Sequence, residues 1–128
     1  MSFFDRVKNK ISETEEHEMW NKISGVEDIK SILQESEEKP QLIYKHSHRC
    51  SVCFLAKEEL ENVAEKISDI ADIYMINVVL QRDVSNAIAS ELNIRHESPQ
   101  VLILKDGEVS WCGSHWQIKG NKILSNLT

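Results

Sequence analysis

Apolar positions in this chain alternate between two patterns. Residues 42–44, 73–80 and 101–104 are short, almost unbroken apolar runs, the pattern of strands covered on both faces. Between them, apolar residues recur at helical spacing. Val26, Ile29, Ile32 and Leu33 form one stripe behind Ser24 and Glu27, which read as a capping box. Lys39-Pro40 ends that helix, because proline disfavours the helical conformation before it. Ala56, Leu60, Val63, Ala64 and Ile67 predict a helix over 54–68. Another helix runs from a cap at Asp83 or Ser85 to Leu92. Asp106-Gly107 is a hairpin turn that returns residues 109–112 antiparallel to 101–104. Ser114 then caps a last helix carrying Trp116, Ile123, Leu124 and Leu127. With a short strand over 19–23, the order is β, α, β, α, β, α, β, β, α. That order predicts an α/β domain with a mixed sheet and helices on both faces.

The domain should span residues 19–128. Residues 1–18 read as an acidic extension or short helix, with Phe3, Phe4, Val7 and Ile11 on one face. Composition narrows the partners. Fifteen basic against twenty-one acidic residues give a net charge of −6, and Lys and Arg do not cluster, which argues against a nucleic-acid surface. No apolar run approaches the ~20 residues that span a bilayer. The start of the chain lacks an apolar core of signal-peptide length, so the expected compartment is the cytoplasm.

In that compartment thiols stay reduced, and a closely spaced pair is more often catalytic, redox-sensing or metal-binding than structural. Cys50-Ser51-Val52-Cys53 sits where the second strand meets a helix. Cys50 falls just before the helix, where free N–H groups and the macrodipole favour an anion. The thiolate is the nucleophile of disulfide exchange, so this position activates it. His46 and Arg49 are candidates for tuning the thiol through their charge. Cys53, one turn further in, is placed to resolve. Ser98-Pro99 opens the first strand of the hairpin, where a cis peptide bond would set the Ser98 backbone beside the cysteines. Gly113-Ser114, read as a helix start, offers open N–H groups to a substrate carboxylate. A C-x-x-C at a βαβ junction with a Pro before the terminal hairpin is the thioredoxin-like arrangement.

Two rivals use the same residues. Cys50, Cys53, Cys112 and His115 together have the donor set of a Cys₃His zinc site. A thioredoxin-like fold also serves as a non-catalytic adaptor. Cys112 itself reads as a small buried residue or, returning on the hairpin, as a second resolving cysteine.

Several strings in the chain resemble the YtxJ-like bacilliredoxins. They are Tyr44-Lys45-His46-Ser47 with Cys50 three residues on, Arg82 with Ser85-Asn86, His96-Glu97-Ser98-Pro99-Gln100-Val101, and Ser114-His115-Trp116. The resemblance runs from about Trp20 to the C-terminus. It implies a thioredoxin-like fold and reduction of mixed disulfides between proteins and bacillithiol, a low-molecular-weight thiol, with Cys50 attacking. The thiol–disulfide reading as a whole expects S-thiolated or disulfide-containing proteins and a low-molecular-weight thiol as partners, and no metal or organic cofactor. Family members usually carry serine where this chain has Cys53, so the family is called monothiol and this chain is dithiol.

Overall fold

The computed structural model describes residues 20–128. The expected extension over residues 1–18 lies outside the described residues. The strands are β1 (Asn21–Lys22), β2 (Gln41–His46), β3 (Asp72–Asn77), β4 (Gln100–Lys105) and β5 (Glu108–Ser114). The helices are α1 (Asp28–Glu35), α2 (Ser51–Asn62), α3 (Ala64–Ser68), α4 (Arg82–Glu91) and α5 (Gly120–Leu127), with a 3-10 turn at His115–Gln117. The sheet order is β1-β3-β2-β4-β5. β3 runs parallel to both β1 and β2, while β4 runs antiparallel to β2 and β5. This is the mixed sheet expected from the pattern, in a thioredoxin-like topology. Among the described residues, no helix is long and apolar enough to cross a membrane.

Strand alternation divides the core between two faces. Leu42, Tyr44, Val101 and Ile103 pack under α2, α3 and α5 through Ala56, Leu60, Ile67, Ile123 and Leu127. Ile43, Ile76, Leu102 and Leu104 pack under α1 and α4 through Ile29, Ile32, Val84 and Ile88. Every residue of β2 is buried, so this central strand carries Lys45 and His46 into the interior along with its apolar residues.

Several boundaries moved for local reasons. α1 begins at Asp28 rather than after Ser24, because the Asp28 carboxylate accepts the Ser24 N–H at 2.8 Å. The expected helix over 54–68 starts earlier, at Ser51, and breaks at Val63, where φ −115° and ψ 19° leave the helical basin. β3 ends at Asn77, whose Oδ1 accepts the Val79 and Leu80 N–H groups and turns the chain, so Leu80 stands exposed instead of continuing the strand. Asp106 and Gly107 both have positive φ, at 53° and 81°, as the tight hairpin requires. Ser114 belongs to β5 and caps the 3-10 turn, and the last helix starts six residues later.

Candidate active site

β2 delivers the chain to the site. It ends at His46, and residues 47–49 turn so that the Cys50 N–H donates to the Ser47 carbonyl at 3.3 Å. Cys50 is the extended N-cap residue of α2, partly exposed, at the end of the helix where N–H groups lack partners. Cys53 is in the first turn and 0% exposed. The two sulfurs are thus arranged as an outer and an inner thiol, and both are free.

The inner thiol sits in a defined cage. Its Sγ lies 3.5 Å from Ser98 Oγ. Burial pushes the Cys53 thiol up. Hydrogen bonds from Ser98 and from the Ser47 backbone act against that rise, while the hydrogen bond with Cys50 adds to it. At neutral pH, Cys53 is therefore held as a thiol. The Ser98–Pro99 peptide bond is cis, and the Ser98 Oγ contact sets the loop before β4 beside the inner cysteine. The Pro99 carbonyl accepts the His115 N–H at 3.1 Å and ties this loop to the 3-10 turn.

Beneath the cysteines, the Tyr44 hydroxyl donates to the Cys53 carbonyl at 2.7 Å. Its one proton is spent there, so the 2.9 Å contact with His46 Nδ1 must be donated by the histidine. The His46 proton then resides on Nδ1, and its buried Nε2 has no partner. Burial, followed by the charges of His48 and Lys57, pulls His46 down to about 4. The expectation that His46 supplies positive potential is thereby corrected: it is a neutral imidazole that holds Tyr44. Arg49 is exposed beside Cys50, where its charge is screened by water.

A second correction concerns Gly113 and Ser114. The Ser114 N–H donates to Gln117 Oε1 at 2.9 Å within a capping box, so it is not open to a carboxylate. Gly113 lies in the β4–β5 ladder opposite Val101. A Cβ there would collide with the Trp111 indole, so the glycine makes room for that ring. His115 pairs with Glu97 at 3.3 Å.

The four proposed zinc ligands do not converge. Cys112 stands opposite Leu102 and shares its face, the one covered by α1 and α4, whereas Cys53 lies on the α2 face with Tyr44. Among the described residues, no three His, Cys, Asp or Glu side chains are grouped to hold a metal ion. The same placement takes Cys112 away from the resolving role. Its Sγ instead accepts from Gln100 Nε2 at 3.5 Å.

Pattern reading missed Lys45 as a site residue. Lys45 is 0% exposed and donates to the Ser85 carbonyl at 3.2 Å and to His96 Nδ1 at 3.1 Å. The signal was a lysine directly after an apolar strand run, in a strand that had to be covered on both faces. A cleft of about 490 Å³ opens beside the site, bordered by His46, His48, Asn77 and Leu80. Trp116, Phe54 and Leu55 are exposed large apolar side chains on the elements flanking Cys50.

The fold recurs in known proteins. One solved structure, described as a candidate oxidoreductase with a thioredoxin fold, is 28% identical and has a TM-score of 0.74, covering 84% of this chain and 93% of its own. The thioredoxin of Malassezia sympodialis is 19% identical, with a TM-score of 0.65 over 84% and 87% of the two chains. Mitochondrial thioredoxin 3 of Saccharomyces cerevisiae, in its oxidised form, is 14% identical, with a TM-score of 0.65 over 84% and 92%. The last two establish the fold alone. The family model of the monothiol bacilliredoxin BrxC matches residues 21–123, the region that carries the sheet, both cysteines and the Ser98–Pro99 loop. With that match across most of its length, the chain belongs to the monothiol bacilliredoxin family, whose fold and chemistry are those of thiol–disulfide redox proteins.

Proposed function

We propose that this protein reduces mixed disulfides between a protein thiol and bacillithiol, and protein disulfides as well, through Cys50 and Cys53. The observation that carries the reading is the pairing of a partly exposed sulfur at a helix N-cap with a fully buried sulfur one turn behind it. Cys50 thiolate attacks one sulfur of the substrate disulfide. A Cys50–substrate disulfide forms, and the other half leaves as a thiolate that takes up a proton. Cys53, losing its proton, then attacks Cys50 Sγ, forming the Cys50–Cys53 disulfide and releasing the second half. Two electrons have passed from the protein to the substrate, and a reducing thiol must return them. Ser98 Oγ, in contact with Cys53 Sγ, is placed to exchange that proton. The Ser98–Pro99 segment gives the substrate backbone an edge to lie along.

A low-molecular-weight thiol is co-substrate, and no metal or organic cofactor enters the cycle. The reading requires a reducing compartment, and the cytoplasm fits it. The test is turnover of one substrate protein in two forms, bacillithiolated and internally disulfide-bonded. Cys50→Ser should lose both activities. Cys53→Ser should keep removal of bacillithiol, because free thiol can clear the Cys50 adduct, and should lose most reduction of the protein disulfide. An adaptor that uses only its surface would leave cellular function intact in Cys50→Ser.

A further inference from the structure

The end of β2 has two flanks, and the redox chemistry described so far uses one of them. In the sheet, β4 lies on one side of β2 and β3 on the other. The Ser98–Pro99 segment leads into β4 and meets Cys53 through Ser98 Oγ. The cleft of about 490 Å³ opens on the β3 side. β1, β3 and β2 run parallel, so their carboxyl ends lie together. The cleft is lined by Ile23 and Ser24 just past β1, by His46 and His48 at and after the end of β2, and by Asn77 and Leu80 at and after the end of β3. In open α/β sheets, the crevice outside the carboxyl ends of the strands is where small ligands lie. The volume is that of a small-molecule site.

Side chains hold the walls of this cleft in place. Gln81 Nε2 donates to the Ile23 carbonyl at 2.6 Å, and Gln81 Oε1 accepts the Asn77 N–H at 3.2 Å, so one residue ties the ends of β1 and β3 together. Asn77 Oδ1 accepts the Val79 and Leu80 N–H groups, which leaves Nδ2 to donate to His48 Nδ1 at 2.8 Å. The turn after β3 is thereby joined to the turn that leads into Cys50. His48 is two residues from Cys50, so their Cα atoms are at most about 7 Å apart. The ring of Phe54, the residue after Cys53, meets the rings of His46 and His48 edge-on, with centroids 5.2 and 6.2 Å away. The cleft is thus preformed, and its near wall belongs to the cysteine turn. Its lining combines carbon surface from Ile23 and Leu80 with the polar side chains of Ser24, His48 and Asn77.

We propose that this cleft holds the body of the small thiol while its sulfur is joined to Cys50, so that the two halves of a mixed disulfide lie on opposite flanks of β2. The protein half runs along Ser98–Pro99, and the small thiol lies over the end of β3. The inference rests on the mixed-disulfide reading above and adds where the small thiol is recognised. The Cys50 thiolate attacks the sulfur of the small thiol. The disulfide between Cys50 and the small thiol forms, and the substrate protein leaves as a thiolate that takes up a proton. A thiol whose body carries both carbon surface and hydrogen-bonding groups fills the cleft, whereas a two-carbon thiol does not reach into it.

The test compares two adducts on one substrate protein, bacillithiol and 2-mercaptoethanol. The readout is the ratio of kcat/KM for the bacillithiol adduct to that for the mercaptoethanol adduct, in wild type and in Ser24→Trp, which puts an indole on the exposed rim of the cleft. Wild type should prefer bacillithiol. Ser24→Trp should lower the ratio by roughly four- to fifteenfold, the effect of losing one or two methylene-sized contacts, and should leave the mercaptoethanol rate unchanged. A second measurement needs no rim variant. Amide NMR spectra of Cys53→Ser carrying each thiol on Cys50 should differ at residues 22–24 and 77–81. A wild type without preference, a folded Ser24→Trp that slows both adducts equally, or spectra that differ at Ser98 and Gln100 instead would overturn the cleft as the thiol site and leave the redox reading intact. No adduct on Cys50, and no turnover by wild type above Cys50→Ser, would instead remove the redox reading, and this one with it.

Discussion

Acidification should destabilise this protein well before its carboxylates titrate, and His46 is the reason. In the folded chain it is 1% exposed and is held down to about 4 by burial, against 6.5 when unfolded. Between those values the unfolded chain binds a proton that the folded chain refuses. Stability is therefore complete above pH 6.5, falls as pH drops towards 4, and levels off below. Each pH unit inside the window costs ~1.4 kcal/mol, so moving from pH 7 to pH 4.5 costs about 2 kcal/mol after rounding at the edges. For a domain of this size that is a fall in Tm of roughly 6–10 °C. His96, also lowered by burial, adds a smaller loss of the same sign. The assay is urea unfolding at pH 7, 6, 5 and 4.5, in wild type and His46→Phe. The variant keeps a ring at the site and leaves Tyr44 bonded to the Cys53 carbonyl, so it should unfold with a visibly shallower pH dependence. Equal slopes in the two proteins would refute the neutral, buried histidine.

Two further perturbations follow from the same region. Tyr44→Phe removes the acceptor of His46 Nδ1 and the donor to the Cys53 carbonyl, and leaves a wholly unpartnered buried imidazole. It should cost about 1–3 kcal/mol in urea unfolding, and Tyr44→Phe/His46→Phe should recover much of the loss; a double variant less stable than the single one would contradict this pairing. Gly113→Ala places a methyl group inside the Trp111 indole and should cost about 1–3 kcal/mol with a change in tryptophan fluorescence. An unchanged spectrum and Tm would show that the ring moves aside freely.

The architecture was legible because it rests on periodicity. Apolar runs at 42–44 and 101–104 and helical stripes at Ile29/Ile32 and Ala56/Leu60 carry enough buried surface to define layers and order. The boundaries were less legible, since single side chains set them: Asp28 reaching back to Ser24, Asn77 turning the chain before Leu80, Gln117 capping Ser114. The cysteine pair was legible from its spacing, because a helix start imposes the outer and inner positions on residues three apart. The polar support beneath it was not. Lys45 and His46 lie just past the apolar run at 42–44, and the central place of β2 in the sheet carries the strand, and its burial, through them. Cys112 was misplaced for a related reason. The hairpin returns it near the site along the chain, but strand alternation turns its side chain to the other face.

The central claim is that Cys50 takes the substrate and Cys53 releases it. Intact-protein and peptide mass spectrometry after one equivalent of disulfide-bonded substrate tests it most directly. Cys53→Ser should accumulate a covalent complex joined at Cys50, wild type should show only the Cys50–Cys53 disulfide, and Cys112 should stay free in both. A substrate joined at Cys53 or Cys112, or a Cys53→Ser protein that turns over without any trapped complex, would contradict the account.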